Sequence, residues 1–117
     1  MDFLVLGPLE VHRDGLIVDV GGARQRAVLS RLLIARREVV GVDRLIDDLW
    51  NGEPTPSALG VLQAYVSHLR RALEPDRLPR TPATVLVSRT PGYALLAESD
   101  ADRFATLVTR GIDNETL

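Results

Sequence analysis

Between Thr55 and Leu73 the apolar residues Leu59, Leu62, Val66, Leu69 and Leu73 recur at spacings of three and four. That rhythm draws one stripe along a helix and predicts that the striped side is buried. At about 100° per residue the opposite side carries Ser57, Gly60, Ala64, Ser67, His68 and Arg71, small and polar toward its start and basic toward its end. Such a face fits a groove. Thr55 is the expected N-cap with Pro56 at the first helical position, and Pro75 closes the helix because proline cannot continue it.

The remaining chain supplies shorter patterns. Phe3–Leu6, Leu9–His12 and Leu16–Val20 are three apolar runs broken by Gly7-Pro8 and Asp14-Gly15, and they predict a small antiparallel meander with a hairpin at Asp-Gly. His12 within it reads as a solvated edge residue. From Ala23 to about Arg37, Ala27, Val28, Leu29, Leu32, Leu33, Ile34 and Ala35 predict a helix with a broad buried face. Glu38–Gly41 is long enough only for a bridge or a one-ladder strand. A short helix follows over Asp43–Leu49, with Val42, Leu45, Ile46, Leu49 and Trp50 facing inward and Asp43 at its start. Trp50 reads either as a core anchor or as a rim residue whose indole N–H meets a partner. Asn51–Pro54 is a turn, and 74–83 is a polar, proline-rich loop holding Arg77 and Arg80. Thr84–Ser88 and Tyr93–Leu96 predict a hairpin, with Pro91-Gly92 as a type II bend. Beyond Glu98, Ser99–Phe104 resembles a helix cap and first turn.

Charge sharpens this picture. The formal net charge is −2, which speaks against a phosphate partner until its distribution is considered. Residues 20–97 hold eleven arginines against seven acids, while residues 1–19 and 98–117 each hold three more acids than bases. All 14 basic residues are arginine, a choice that suits bidentate phosphate and guanine contacts and equally follows from a GC-rich genome. The polar positions of the first helix are Arg24, Gln25, Arg26, Ser30, Arg31, Arg36 and Arg37, with no acid among them. They form either a solvated face or, through Arg24 and Arg26 at the helix start, a phosphate contact aided by free N–H groups and the dipole.

The absence of cysteine removes disulfides and thiolate metal sites from consideration. There is no apolar run of membrane-spanning length, and no basic segment precedes the N-terminal apolar residues, so a cytoplasmic protein is expected. At 117 residues one domain with its own core is expected. His12 and His68 lie far apart, and no glycine-rich phosphate motif accompanies them. Neither an enzyme nor a cofactor site is therefore expected. Asp43 and Asp47 read as helix-surface residues.

The element order is a strand meander, three helices of which the third is longest, and a terminal hairpin, which makes an α+β winged helix-turn-helix. AYVSHLRRALEP (64–75), LIDDLW (45–50) and SRTPGYAL (88–95) resemble signature segments of the OmpR/PhoB-type winged-helix DNA-binding domain. FLVLGPLEV at the start, GGARQRAVLSRLL in the first helix and VDRLIDDLW resemble the N-terminal domain of the actinobacterial antibiotic regulatory proteins, the SARP family. The likeness spans about residues 2–110.

The resemblance implies a third helix in the DNA major groove, with Gln63, Ala64, Tyr65, Ser67, His68, Arg70 and Arg71 at positions of base or phosphate contact. In the wing it implies that Arg89, Thr90 and Tyr93 touch the minor groove or backbone, and it places Trp50 where phosphate is met. The loop Trp50–Thr55 matches the segment through which the family's activators touch RNA polymerase, although it is short here and holds one acid. Ser67 and His68 stand where two-component relatives often carry arginine, so a different base preference is expected.

The family also implies direct-repeat operators at promoters of antibiotic or other secondary-metabolite genes, bound by monomers that meet head to tail on DNA, and RNA polymerase as a partner. Residues 1–97 are expected to form the DNA-binding domain. Residues 98–117 are expected to be a linker and the truncated start of a helical activation domain, near Asp102. No aspartate-phosphorylated receiver is expected ahead of the meander. A winged helix that docks another protein without DNA is the alternative reading.

Overall fold

A short sheet opens the chain, and three helices follow with a second sheet whose first strand lies between the first two of them, in the computed structural model, which describes residues 2–4, 9–97 and 100. The expected start of a further helix near Asp102 lies outside these residues.

β1 (Asp2–Leu4), β2 (Glu10–Arg13) and β3 (Leu16–Ile17) form the predicted meander in the order β1-β2-β3, antiparallel throughout. Asp14 and Gly15 both take positive φ, 51° and 79°, and Arg13 pairs with Leu16 across them. This is the two-residue bend for which Asp-Gly is selected. β3 is shorter than its apolar run, which extends to Val20. After Ile17 the Val18 N–H donates to the Val11 carbonyl at 2.7 Å and extends the ladder. His12 is half-buried rather than solvated, and its Nε2 lies 2.8 Å from the Glu10 carboxylate.

α1 spans Ala23–Ile34, ending short of the expected Arg37 because Arg36 and Arg37 adopt φ of 51° and 69°, a conformation that no right-handed helix can contain. Val28, Leu29, Leu32 and Leu33 are buried as predicted, whereas Ala27 is exposed and Ile34 is 73% exposed. Gln25, assigned to the polar face, is buried and donates from Nε2 to the Val20 carbonyl at 3.1 Å. That bond satisfies the amide, and a satisfied polar group can be buried at little cost.

β4 (Val40–Gly41) runs directly into α2 (Val42–Leu49), capped by Gly41 rather than by Asp43. After the turn comes α3 (Ala58–Leu73), which starts later than expected: Ser57 is its N-cap residue, without a side-chain cap bond. The Thr55 carbonyl accepts from Ala58 N–H at 3.0 Å, so Thr55 and Pro56 belong to a preceding turn. The buried stripe is Ala58, Leu62, Val66, Leu69 and Leu73, while Leu59 is 48% exposed. Both sets have helical spacing. Packing selects Ala58 because Leu59 is rotated roughly 60° from the centre of the stripe, at about 100° per residue, while Ala58 is rotated roughly 40°.

β5 (Leu86–Arg89) and β6 (Gly92–Leu95) form the hairpin, with β6 between β4 and β5. Arg89 pairs with Gly92, so the turn residues are Thr90 and Pro91, not the expected Pro91-Gly92. Gly92 serves a different purpose. A Cβ there would lie 1.9 Å from the Val40 carbonyl oxygen and 2.8 Å from Gly41 Cα, so only glycine lets β4 and β6 approach. The Val42 N–H also donates to the Pro91 carbonyl at 3.1 Å, fixing the wing to the first residue of α2.

Phe3, Val11 and Val20 from the N-terminal segment join Val28, Leu29, Leu32, Leu45, Leu62, Leu69, Leu86 and Leu95 in one core. Burying a leucine or phenylalanine side chain contributes on the order of 1.5–3 kcal/mol, and these contacts hold the outward side of α3 in register with the wing.

Candidate nucleic-acid interface

The outward side of α3 is set by what its inward side buries. Once Leu62, Val66, Leu69 and Leu73 face the core, Gln63, Ala64, Ser67, His68 and Arg71 are exposed. Four of these, Ala64, Ser67, His68 and Arg71, are the helical-wheel set, and Gln63 flanks them. Arg71 is open to solvent, with α3 presenting no acid in its first turn. Tyr65 is half-buried and packs against the core, so its ring belongs to the helix's support more than to its free face.

Arg70 faces the wing. Its Nε donates to the Leu86 carbonyl at 2.9 Å and its Nη2 to the Ser88 hydroxyl at 2.7 Å. Its guanidinium carbon also stands 5.8 Å from the centre of the Tyr93 ring, within range of a cation–π attraction. Helix and hairpin are thereby joined by a charged side chain across their seam. At the tip of the wing Arg89 and Thr90 are exposed. Ser88 through Tyr93 and Val42 line a shallow hollow of about 310 Å³ beside that tip.

At the start of α1, Arg24 is exposed and Arg26 is half-buried. The Arg24 guanidinium carbon lies 4.7 Å from the Trp50 ring centre, and Trp50 is only 8% exposed. The tryptophan is therefore a core anchor whose visible face is covered by an arginine. No acid occupies the first turn of α1, and its cap Gly22 offers no side-chain acceptor, so the first backbone N–H groups keep their donors. Arg26 reaches back instead, donating from Nη2 to the Leu9 carbonyl, which ties α1 to the N-terminal sheet. Arg31 pairs with Asp48 at 2.9 Å across α1 and α2, a surface pair contributing on the order of 0–1 kcal/mol.

The structure thus gathers α3's outer face, Arg70, the wing tip and Tyr93 along one helix-wing unit, and brings Arg24 to Trp50. Two residues with structural reach were given no contact role by sequence reasoning. Arg13 is the only arginine in residues 1–19, yet its Nη2 donates to the carbonyls of Leu73 at 2.7 Å and Ala72 at 3.2 Å, at the end of α3. Arg77 lines the seam between α3 and β5. For Arg13 no local signal exists, since its partners lie 59 and 60 positions away.

The turn between α2 and α3, residues 51–57, is exposed throughout. Glu53 is its only acid. No helix among the described residues is long and apolar enough to cross a membrane.

Comparison with known proteins agrees with this geometry. Residues 21–95 match the family described as "Transcriptional regulatory protein, C terminal". The transcriptional regulatory protein EmbR of Mycobacterium tuberculosis is 40% identical over 115 residues, covering 96% of this chain and 29% of EmbR. The regulatory protein AfsR of Streptomyces coelicolor is 40% identical over 102 residues, covering 86% of this chain and 10% of AfsR. DnrI of Streptomyces peucetius is 38% identical over 73 residues, covering 62% of this chain and 27% of DnrI. The chain therefore spans less than a third of each of these relatives.

Among solved structures, M. tuberculosis EmbR in complex with a low-affinity phosphopeptide superposes with a TM-score of 0.85 at 40% identity, over 96% of this chain and 30% of that one. The DNA-binding domain of Escherichia coli CadC superposes at 0.59 with 23% identity, over 74% of this chain and 77% of that domain, and shares the fold. The sequence match, the three helices with their hairpin and the regulators it resembles converge: this chain belongs to the transcriptional regulatory protein C-terminal family, the OmpR/PhoB-type winged-helix DNA-binding domains, and is of the kind found in the SARP regulators.

Proposed function

We propose that the chain reads a specific double-stranded DNA sequence by laying α3 in the major groove and the Arg89–Tyr93 turn on the neighbouring backbone or minor groove. The observation that carries this is the exposed set Gln63, Ala64, Ser67, His68 and Arg71 on a helix whose other side is locked into the core. An α-helix fits the major groove, where glutamine pairs with adenine, arginine with guanine or phosphate, and an alanine methyl packs against thymine. Arg24 and the free N–H groups opening α1 supply a phosphate contact, with Trp50 holding that arginine in place. Ser67 and His68 are the positions that set a base preference distinct from relatives with arginine there.

Likeness to AfsR and DnrI supports a place in an activator of secondary-metabolite genes. In that role, copies of this module occupy direct repeats head to tail and contact RNA polymerase through the exposed turn 51–57. A helical activation domain following residue 97 fits the same reading.

Selection of bound duplexes from a random pool tests it, because paired repeats at a fixed spacing give specificity and stoichiometry together. Affinity for the recovered duplex is expected to fall steeply with salt. Arg71→Ala is expected to weaken binding on every sequence and to reduce the salt slope by about 0.9. Binding that is absent, or indifferent to salt, overturns the reading. Capture of a protein by the same face without duplex binding favours a protein-docking role.

A further inference from the structure

The loop 74–84 carries arginines that the helix and wing do not account for. Arg77 shares a cleft of about 340 Å³ with Arg70, Pro82, Ala83, Val87 and Ser88, at the seam between the last turns of α3 and the first wing strand. Among the described residues no carboxylate lines it. Arg70 commits two of its N–H groups, to Leu86 and Ser88. Arg77 commits one, from Nη1 to the Thr81 carbonyl at 2.6 Å. A guanidinium has five donors, so each keeps at least two beyond these bonds. Two acids lie close to Arg77 in sequence, Asp76 directly before it and Glu74 three residues back; the Glu74 carboxylate accepts from the backbone N–H and the hydroxyl of Thr84 and forms a loose ion pair with Arg77, 3.9 Å from its Nε, which leaves the Arg77 N–H groups unclaimed by a hydrogen bond to it. Two guanidinium groups and a hydroxyl are thus fixed on three different elements around an open space, an arrangement suited to a tetrahedral anion.

We propose that this cleft is a phosphate subsite and that Arg77 is a further DNA-contacting residue, gripping the sugar-phosphate strand that separates the groove occupied by α3 from the groove reached by the wing. The proposal rests on the DNA-binding mode described above. With α3 in the major groove and the hairpin at the adjoining minor groove, one backbone strand passes between them, and the side chains bridging that gap are Arg70 and Ser88, with Arg77 beside them. Phosphate contacts fix register without reading bases, so Arg77 strengthens binding equally on all sequences.

The test uses the chain and the duplex recovered by selection, with single phosphates replaced in turn by neutral methylphosphonate. In the wild type, one position within the strand between helix and wing is expected to weaken binding several-fold when neutralised. Arg77→Gln is expected to bind several-fold more weakly, to lose about 0.9 of the salt slope, and to be indifferent to neutralisation at that one phosphate while keeping its response elsewhere. Arg77→Lys, which keeps the charge, restores the slope. Arg80→Gln, on the same loop but outside the cleft, keeps the wild-type phosphate profile. A melting curve of each variant checks that the loop change leaves the fold intact.

If the wild type binds duplex and Arg77→Gln still responds to every phosphate, the subsite is overturned and the helix-wing reading stands. If the wild type binds no duplex, titration with inorganic phosphate decides the subsite alone. A shift of the Arg70 and Arg77 Nε–H resonances that Arg77→Gln abolishes supports it, and unmoved resonances overturn it.

Discussion

Arg13, at the end of β2, donates a 2.7 Å hydrogen bond to the carbonyl of Leu73, the last residue of α3. The final carbonyls of a helix lack intrahelical partners, and a cation there also complements the helix dipole. The N-terminal sheet thereby secures α3, the helix proposed to enter the groove, from its far end.

Arg13→Met is expected to lower stability by about 1.5–3 kcal/mol in urea titration, the range for hydrogen bonds to a charged group. Duplex affinity is expected to fall with it while the salt slope stays at the wild-type value, because this guanidinium is engaged with backbone carbonyls. A slope reduced by a full contact would make Arg13 a phosphate ligand instead.

Gly92→Ala is expected to cost more than about 2 kcal/mol, since the added methyl meets the Val40 carbonyl at 1.9 Å and backbone on both sides cannot yield cheaply. Hydrogen exchange at Val42, whose N–H bonds to Pro91, should accelerate as the wing detaches from α2. Protection that survives the substitution would contradict the close approach of β4 and β6.

Trp50 is the sole tryptophan and lies beneath Arg24, so its fluorescence reports on the α1 end of the proposed interface. Adding duplex is expected to change the emission of the wild type. In Arg24→Ala that response is expected to shrink, with a stability loss of only about 0.5–1 kcal/mol for the cation–π contact. Trp50→Ala, which empties a buried site, is expected to cost about 3–5 kcal/mol. An emission that ignores DNA in the binding-competent wild type would remove Arg24 from the contact.

Leu59 and Leu62 look equivalent in sequence but differ in burial, at 48% and 0% exposed. Urea midpoints are expected to place Leu62→Ala about 2–5 kcal/mol below wild type and Leu59→Ala within about 0.5 kcal/mol of it. Equal losses would mean that the start of α3 is packed differently.

By itself the sequence determined what depends on local spacing. Apolar periods of three to four placed the three helices, Asp14-Gly15 placed a hairpin bend through its preference for positive φ, and the burial of one side of α3 left Ala64, Ser67, His68 and Arg71 outward by simple rotation. The tertiary structure decided everything that depends on a partner distant in the chain. Ala58 rather than Leu59 became the first core residue of α3, and Gly92 proved necessary for the approach of β4 rather than for a turn. The arginines were sorted in the same way: composition made them alike, but backbone carbonyls engaged Arg13 and Arg26, a hydroxyl and a ring oriented Arg70, and Arg71 stays exposed because none of the described residues folds over it. A guanidinium's role follows from which acceptors come within about 3 Å, and that is fixed only when separate elements pack together.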